Sequence, residues 1–430
     1  MAYFSLNTWP FNVASRNPRA LVPIAVGGYL LLVRALRYRR RDGWIRDYKK
    51  KYGSYDRDSL SQMTLDDAWP ILRDMTSMEF PSIFSISVFF ALFKTYGIPT
   101  ISQLLLHTGQ LASDTTASKR ATDTGVLVSE FVMNGPDSAR KFQGIARMNY
   151  LHARYRRAGK ISDADMLYTL GLFALEPARW ADARDWRPLT DLERCALGVF
   201  WRDMGEAMGI PYALLEPHLG PRRDGLDWLA AVDRWSVAYE ENCMVPAESN
   251  EKVAWGTLDI IMFHTPVRFR GFMLKLVSAV LEDRLRTAMN IVEPSPVHRG
   301  IMSTYFTLRA WIIRYTHLPR FSWQKQEFFS EEPDPKTGKY YAMQYVSHPW
   351  YMKPTWSSRW GFEALRTRIY GGILPGDEGG KYHPDGYHIE EVGPEGMKGK
   401  GENEMKMIKS DLENRRMAQG GCPMGAVIKA

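Results

Sequence analysis

Cysteine is scarce: Cys195, Cys243 and Cys422 are the three in 430 residues. Their odd number and wide spacing argue against a disulfide framework, offer no metal-knuckle spacing, and fit a reducing compartment. Several catalytic signatures are also missing. No glycine-rich dinucleotide loop follows a strand, and no G-x-x-x-x-G-K-[ST] phosphate loop occurs. The helical metalloprotease motif, the G-x-S-x-G nucleophile elbow and paired histidines of the di-iron kind are absent as well. Cys422, in "GGCPMG", sits in a tail-like stretch, which argues against a thiolate-ligated haem. No sustained alternation suggests a sheet, and no internal repeat or low-complexity tract is visible.

What is present begins with charge and one apolar run. The formal net charge is +8, yet nucleic acid is not expected as a partner. Much of the surplus lies in "RALRYRRRDGWIRDYKKK", 34–51, directly after the apolar "ALVPIAVGGYLLLV", 20–33. Snorkelling by Arg19 and Arg34 extends that run to Leu36 and into the range of a membrane span, with Trp9, Phe11 and Tyr29 near the interfaces. The alternatives are an interfacial helix and a cleaved signal. The second is disfavoured because the positive charge follows the apolar stretch and no cleavage pattern is seen. The expectation is a single-pass N-terminal anchor at 20–36 behind a lumenal 1–19, with the catalytic body on the cytosolic side.

A basic juxtamembrane linker is expected over 37–60 and a helical domain over 61–320. Thr64 followed by acidic residues marks a helix start. The apolar 80–99 segment reads as a buried helix or channel lining. Further helices are expected near 101–112, 116–134, 137–158, 162–175, 189–208, 225–242, 250–264, 267–290 and 297–317, with breaks at glycine and proline signals such as "EPARW". From Phe321 the chain becomes rich in Gly, Pro and aromatics. An irregular extension packed on the core is expected over 321–390, and a charged, mobile tail over 391–430.

Two polar constellations stand on apolar helices. In "KRATDTGVLVSEFV", Arg120, Asp123 and Thr124 fall at i, i+3 and i+4, with Leu127 and Phe131 continuing the face. On spacing alone, a surface or structural Arg–Asp pair is favoured over a pocket edge. In "ARMNYLHARYRRAG", His152 shares a face with Met148, Asn149, Tyr155 and Arg156. A lone helical histidine is more often a core or surface residue than a ligand. Its functional reading is a neutral imidazole bound axially to haem iron, with Arg154, Arg156 or Arg157 at the propionates. Downstream, "SDADMLYTLGLF" reads as a helix starting at Ser162 or Asp163, with Tyr168 and Thr169 inside.

Together "RATDT", "ARMNYLHARY", "DADMLYTLGLF" and "LRAWIIRYTHLPR" resemble the fungal ER-bound oxygenases of the mycophenolic acid pathway (MpaB-type), which share a catalytic domain with the bacterial rubber oxygenases, or latex clearing proteins. The likeness extends to "ALFKTYGIPTISQLLLHTGQL" and to "GGCP" near the end. The resemblance implies a mainly α protein, a helical bundle with a globin-like core that binds haem b. It implies His152 as the proximal iron ligand and Arg120 and Thr124 on the distal side, with Arg156 and Tyr168 as candidates for haem support. Where rubber oxygenases place a distal lysine, this chain has Asp123, so that ligation is lost. Their proposed glutamate base has no match in "QLLLHTG", leaving Asp123 and His107 as candidates for proton handling. The activity implied is oxidative cleavage by dioxygen of a C=C bond in a prenyl or terpenoid side chain, at the endoplasmic reticulum membrane. No pattern names an electron donor. A haem hydroxylase without carbon–carbon cleavage and a membrane-tethered carrier of lipid or terpenoid are the competing readings.

Overall fold

The computed structural model describes residues 21–109 and 114–420. Its regular structure is helical; pairing of the β kind is confined, among the described residues, to the isolated bridges Phe329–Ala342 and Tyr340–Tyr387.

Helix α1, Leu21–Leu36, carries no acidic residue and buries Val33 alone. With α2, Arg39–Tyr52, it forms a run apolar and long enough at its start to cross a bilayer. At the junction Arg37 is buried with its guanidinium 3.8 Å above the Trp186 ring, and Arg40 donates to the Arg320 carbonyl at 2.8 Å. The 37–60 stretch, expected as a linker, is thus largely helical and pinned to the body. After α2 comes the short α3, Arg57–Leu60, and buried Tyr48 bonds the Ser59 carbonyl across that turn at 2.8 Å.

The core is built from α4 (Leu65–Asp74), α5 (Pro81–Thr95), α9 (Asp163–Arg184), α10 (Asp191–Ala207) and α11 (Gly225–Cys243). Between α9 and α5 on the chain lie α6 (Pro99–His107), α7 (Asp114–Met133) and α8 (Ala139–Arg157). Thr64 and Thr190 close capping boxes at α4 and α10, and the Ser162 hydroxyl accepts from the Asp165 amide to start α9. Each satisfies amides that a helix start leaves open. Helices α10 and α11 meet backbone to backbone: a Cβ on Gly198 would stand 1.9 Å from the Gly225 carbonyl oxygen. Only glycine permits that approach.

Two expected boundaries moved. A break was expected at "EPARW", but α9 continues through Pro177 to Arg184, burying Ala178, Trp180 and Ala181. Burial of these side chains outweighs the roughly 3 kcal/mol that interior proline costs a helix. Conversely the single helix expected over 267–290 is interrupted. Helix α13, Val267–Ser278, ends, and α14, Asp283–Ala288, begins after Glu282, which turns back to Lys94 Nζ at 2.9 Å. Between α11 and α13 lies α12, Glu248–Ile261; α15, Pro296–Thr316, follows α14.

From 321 to 390 the chain is mostly irregular, with short helices α16, Trp356–Trp360, and α17, Phe362–Ile369. Trp350, Tyr351, Tyr382 and Tyr387 of this stretch are buried in the main core. The mobile tail expected from 391 is a correction. Glu402–Ala418 forms α18 and packs on α8, burying Met405, Leu412 and Arg416. Arg416 Nε donates to Asp137 at 2.7 Å. Met405, Ile408, Leu412 and Arg416 recur at helical spacing, a stripe hidden by the charges around it. Residues 421–430, with Cys422, lie outside the described residues.

Candidate active site

Helix α8 presents two working faces. On one, fully buried Arg147 donates to the carbonyls of Val392 at 2.8 Å and Met397 at 3.1 Å, fastening the loop before α18. On the other, Asn149, His152, Ala153 and Arg156 follow i, i+3, i+4, i+7 and face the end of α10. Asn149 Nδ2 donates to the Ala207 carbonyl at 3.0 Å, and Arg156 to those of Met208 at 2.9 Å and Gly209 at 2.8 Å. These are the carbonyls that a helix end leaves without partners. A cavity of about 360 Å³ lies there, lined by His152, Arg156, Met166, Met208, Leu412 and Arg415 among others.

His152 is half-buried, and its Nδ1 is sealed from solvent without a hydrogen-bond partner among the described residues. Such an orphaned polar atom costs about 1–3 kcal/mol, so its retention calls for a role. Burial, reinforced by the positive charges of Arg120 and Arg156, pushes the imidazole down from 6.5 to about 4. The ring is therefore neutral at physiological pH with a lone pair available, which is the state that ligates metal. A neutral, unpartnered imidazole is the donor chemistry that haem iron would take, though neither Arg120 nor Thr124 lines this cavity.

Arg120 and Thr124 stand one turn apart on α7, both half-buried. The Arg120 charge reaches His152 and also Tyr96, whose hydroxyl bonds Thr257 of α12. No carboxylate or carbonyl among the described residues engages the Arg120 guanidinium. Tyr96 is a neighbour that the sequence reading missed, since it belongs to the turn after α5 and meets Arg120 only through the fold.

Asp123 looks elsewhere. Its carboxylate accepts from Lys119 Nζ at 2.8 Å and from Tyr351 Oη at 2.7 Å, in a buried setting. Burial raises its carboxyl above the usual range, against the pull of Lys119 and Tyr351. Lys119 also donates to the Gly393 carbonyl at 2.8 Å. The structure thus gives Asp123 a structural ion pair and does not bring it to His152. The other proton-handling candidate, His107, is exposed at the end of α6 with Nδ1 2.7 Å from the Gln103 carbonyl.

Tyr168 is not in the His152 cavity either. Met166 lines that cavity, and two residues on, about 200° around the helix, Tyr168 points into the core. Its hydroxyl donates to Glu240 at 3.0 Å. Around it Lys94, 1% exposed, lies 3.0 Å from Glu240, 2.9 Å from Glu282 and 3.5 Å from Glu176. Burial alone would lower Lys94, but the three glutamates outweigh it and raise its pKa. Of the remaining arginines, Arg154 and Arg157 are exposed.

No protein-family model matches the chain. It is 40% identical over 405 residues to the ER-bound oxygenase mpaB' of Penicillium brevicompactum, covering 94% of both chains. To the ER-bound oxygenase mpaB of the same organism it is 38% identical over 389 residues, covering 90% of this chain and 91% of the relative. Penicillium roqueforti has an ER-bound oxygenase mpaB that is 44% identical over 265 residues, 62% of this chain and 88% of the relative. At this identity and coverage, the chain belongs to the MpaB-type family of ER-bound oxygenases.

Proposed function

We propose that the protein is a haem b-dependent oxygenase of the endoplasmic reticulum membrane that cleaves a C=C bond in the prenyl or terpenoid side chain of a secondary metabolite. The names of the relatives support an ER-bound oxygenase. Haem is supported by one observation above others: a neutral imidazole with an orphaned nitrogen, His152, beside a cavity. Among the described residues no three His, Cys, Asp or Glu side chains converge as a metal-ion site. A lone imidazole would suffice as the protein's donor to iron already held by a macrocycle.

Bound haem b supplies the redox-active iron at which dioxygen is activated. The chain's own residues act around it. His152 would hold the iron through a ring nitrogen kept unprotonated by its buried, cationic surroundings. Arg156, by closing the end of α10, fixes the angle at which α8 presents that ring. Arg120 would offer a guanidinium without an ionic partner among the described residues to the negative charge that develops on reacting oxygen, and the Thr124 hydroxyl would add a donor one turn away. Consumption of one dioxygen turns the two alkene carbons into two carbonyl groups, so atoms balance without a further reductant. Helix α1 crosses the membrane once, and the basic run after it holds the body on the cytosolic side.

The test is incubation of full-length protein in microsomes with a farnesylated phenol under oxygen-18, with carbonyl products reduced at once to stop exchange with water. The proposal expects one heavy oxygen in each of two fragments. An intact side chain carrying one heavy oxygen would indicate a hydroxylase, and unchanged substrate bound to iron-free protein a carrier.

A further inference from the structure

Helix α15 is 21 residues long and buries none of them, although Ile301, Tyr305, Leu308 and Trp311 are large and exposed. It packs on α1, where the Tyr29 hydroxyl donates to the Thr316 carbonyl at 2.7 Å. Tyr29 lies about 12 Å along the helix axis from Arg37 at the body end of the anchor, at roughly 1.5 Å per residue. That distance exceeds the roughly 5–8 Å of headgroup layer on each side of a bilayer. With α1 as the span, the bond to Tyr29 brings the end of α15 to the membrane boundary.

The exposed apolar surface continues from there. Helix α13 packs on α15, with the Phe272 and His298 rings 5.1 Å apart, and exposes Val267 by 82%. His264, just before α13, abuts Gly372, just after α17, where Phe362 is 79% exposed. Neither α13 nor α15 contains an acidic residue. Arg268, Arg270, Lys275 and Arg314 have no carboxylate partner among the described residues, and Arg268 and Arg314 lie over Phe269 and Tyr315, at 4.8 Å and 5.4 Å. Acids do border the face, Glu363 of α17 beside Arg366 and Asp283 and Glu293 beside Arg299, but each is paired with an arginine, and the aromatic rings beside unpaired cations suit an anionic lipid surface.

We propose that α13, α15 and α17 form a second membrane-seating face, immersed in the interfacial layer of the bilayer that α1 crosses. The inference rests on the reading of α1 as a span. The occupant is phospholipid rather than another protein, because the face is continuous with the anchor and carries the unpaired positive charge an anionic bilayer neutralises. It sets the catalytic body against the phase in which an apolar substrate dissolves.

The test uses the full chain, with Cys243 and Cys422 replaced by serine, in vesicles of phosphatidylcholine and phosphatidylserine. An environment-sensitive fluorophore is attached at Trp311→Cys or Val267→Cys, at Leu31→Cys in the anchor, or at Glu404→Cys on α18 as the solvent reference. Nitroxide-labelled lipids should quench the Trp311 and Val267 sites several-fold more than the Glu404 site, shallow labels more than deep ones, and quench Leu31 by deep labels. Quenching at Leu31 with Trp311 and Val267 no different from Glu404 overturns the proposal and leaves the anchor standing. Absence of quenching at Leu31 as well overturns both. Trp311 and Val267 shielded from water yet unquenched by lipid would show a second copy of the chain covering the face, and also overturns it.

Discussion

The Tyr351 hydroxyl donates to Asp123 Oδ1 at 2.7 Å, joining residues 228 apart in the chain. That bond ties the irregular extension to the helix that carries Arg120 and Thr124. Tyr351→Phe leaves Asp123 to Lys119 alone and should cost about 1–3 kcal/mol of stability. The check is the denaturation midpoint against iron content. The expected result is a lower midpoint with haem retained by the folded fraction. Lost haem at unchanged stability would instead return Asp123 to the site.

A proton competes with iron for the same imidazole. The folded-state pKa of His152 is depressed to about 4 from 6.5. The stability it contributes is therefore present above pH 6.5 and lost as pH falls toward 4. Between those values the unfolded chain takes up a proton that the folded one refuses, a slope of up to about 1.4 kcal/mol per pH unit. Unfolding of haem-free protein followed from pH 7 to pH 4 should show this slope in the wild type. In His152→Phe it should flatten, and equal slopes would refute the assignment.

Removal of Lys94 should be severe. Its ammonium faces two buried glutamates, Glu176 and Glu240, and the more exposed Glu282, and uncompensated buried charge costs about 3–5 kcal/mol. Lys94→Met is expected to lower the denaturant midpoint sharply, with partial recovery in Lys94→Met/Glu240→Gln. Failure of the second change to recover anything would mean that packing, not charge, dominates there.

Arg120 has a chemical part to test apart from folding. Arg120→Gln removes one of the charges that depress His152, so the imidazole pKa read by NMR in haem-free protein should rise. Turnover of haem-loaded protein should fall roughly 100-fold, as when a donor to a developing oxyanion is lost. Unchanged turnover with a shifted His152 would confine Arg120 to an electrostatic role on the ring.

Much of the helical layout was legible because its signals are local. Thr64 and Ser162 cap where a helix should begin, and of the face read through His152, Asn149 and Arg156 do meet the end of α10, while Met148 and Tyr155 do not line the cavity there. What stayed hidden depends on contacts distant in sequence. Nothing near Asp123 announces Tyr351, and Pro177 reads as a stop until its neighbours are seen buried. Helix α18 was obscured by its own charges, which mask the Met405–Ile408–Leu412 stripe. Tyr168 was misplaced by helical phase, two residues from the cavity-facing Met166.

The most direct measurement is the visible spectrum and iron content of purified full-length protein, wild type and His152→Ala. Haem held by His152 should give a Soret band with about one iron per wild-type chain, and both should be lost in a variant that still folds by circular dichroism. A folded wild-type protein free of iron, or a Soret band that survives His152→Ala unchanged, would contradict that ligation.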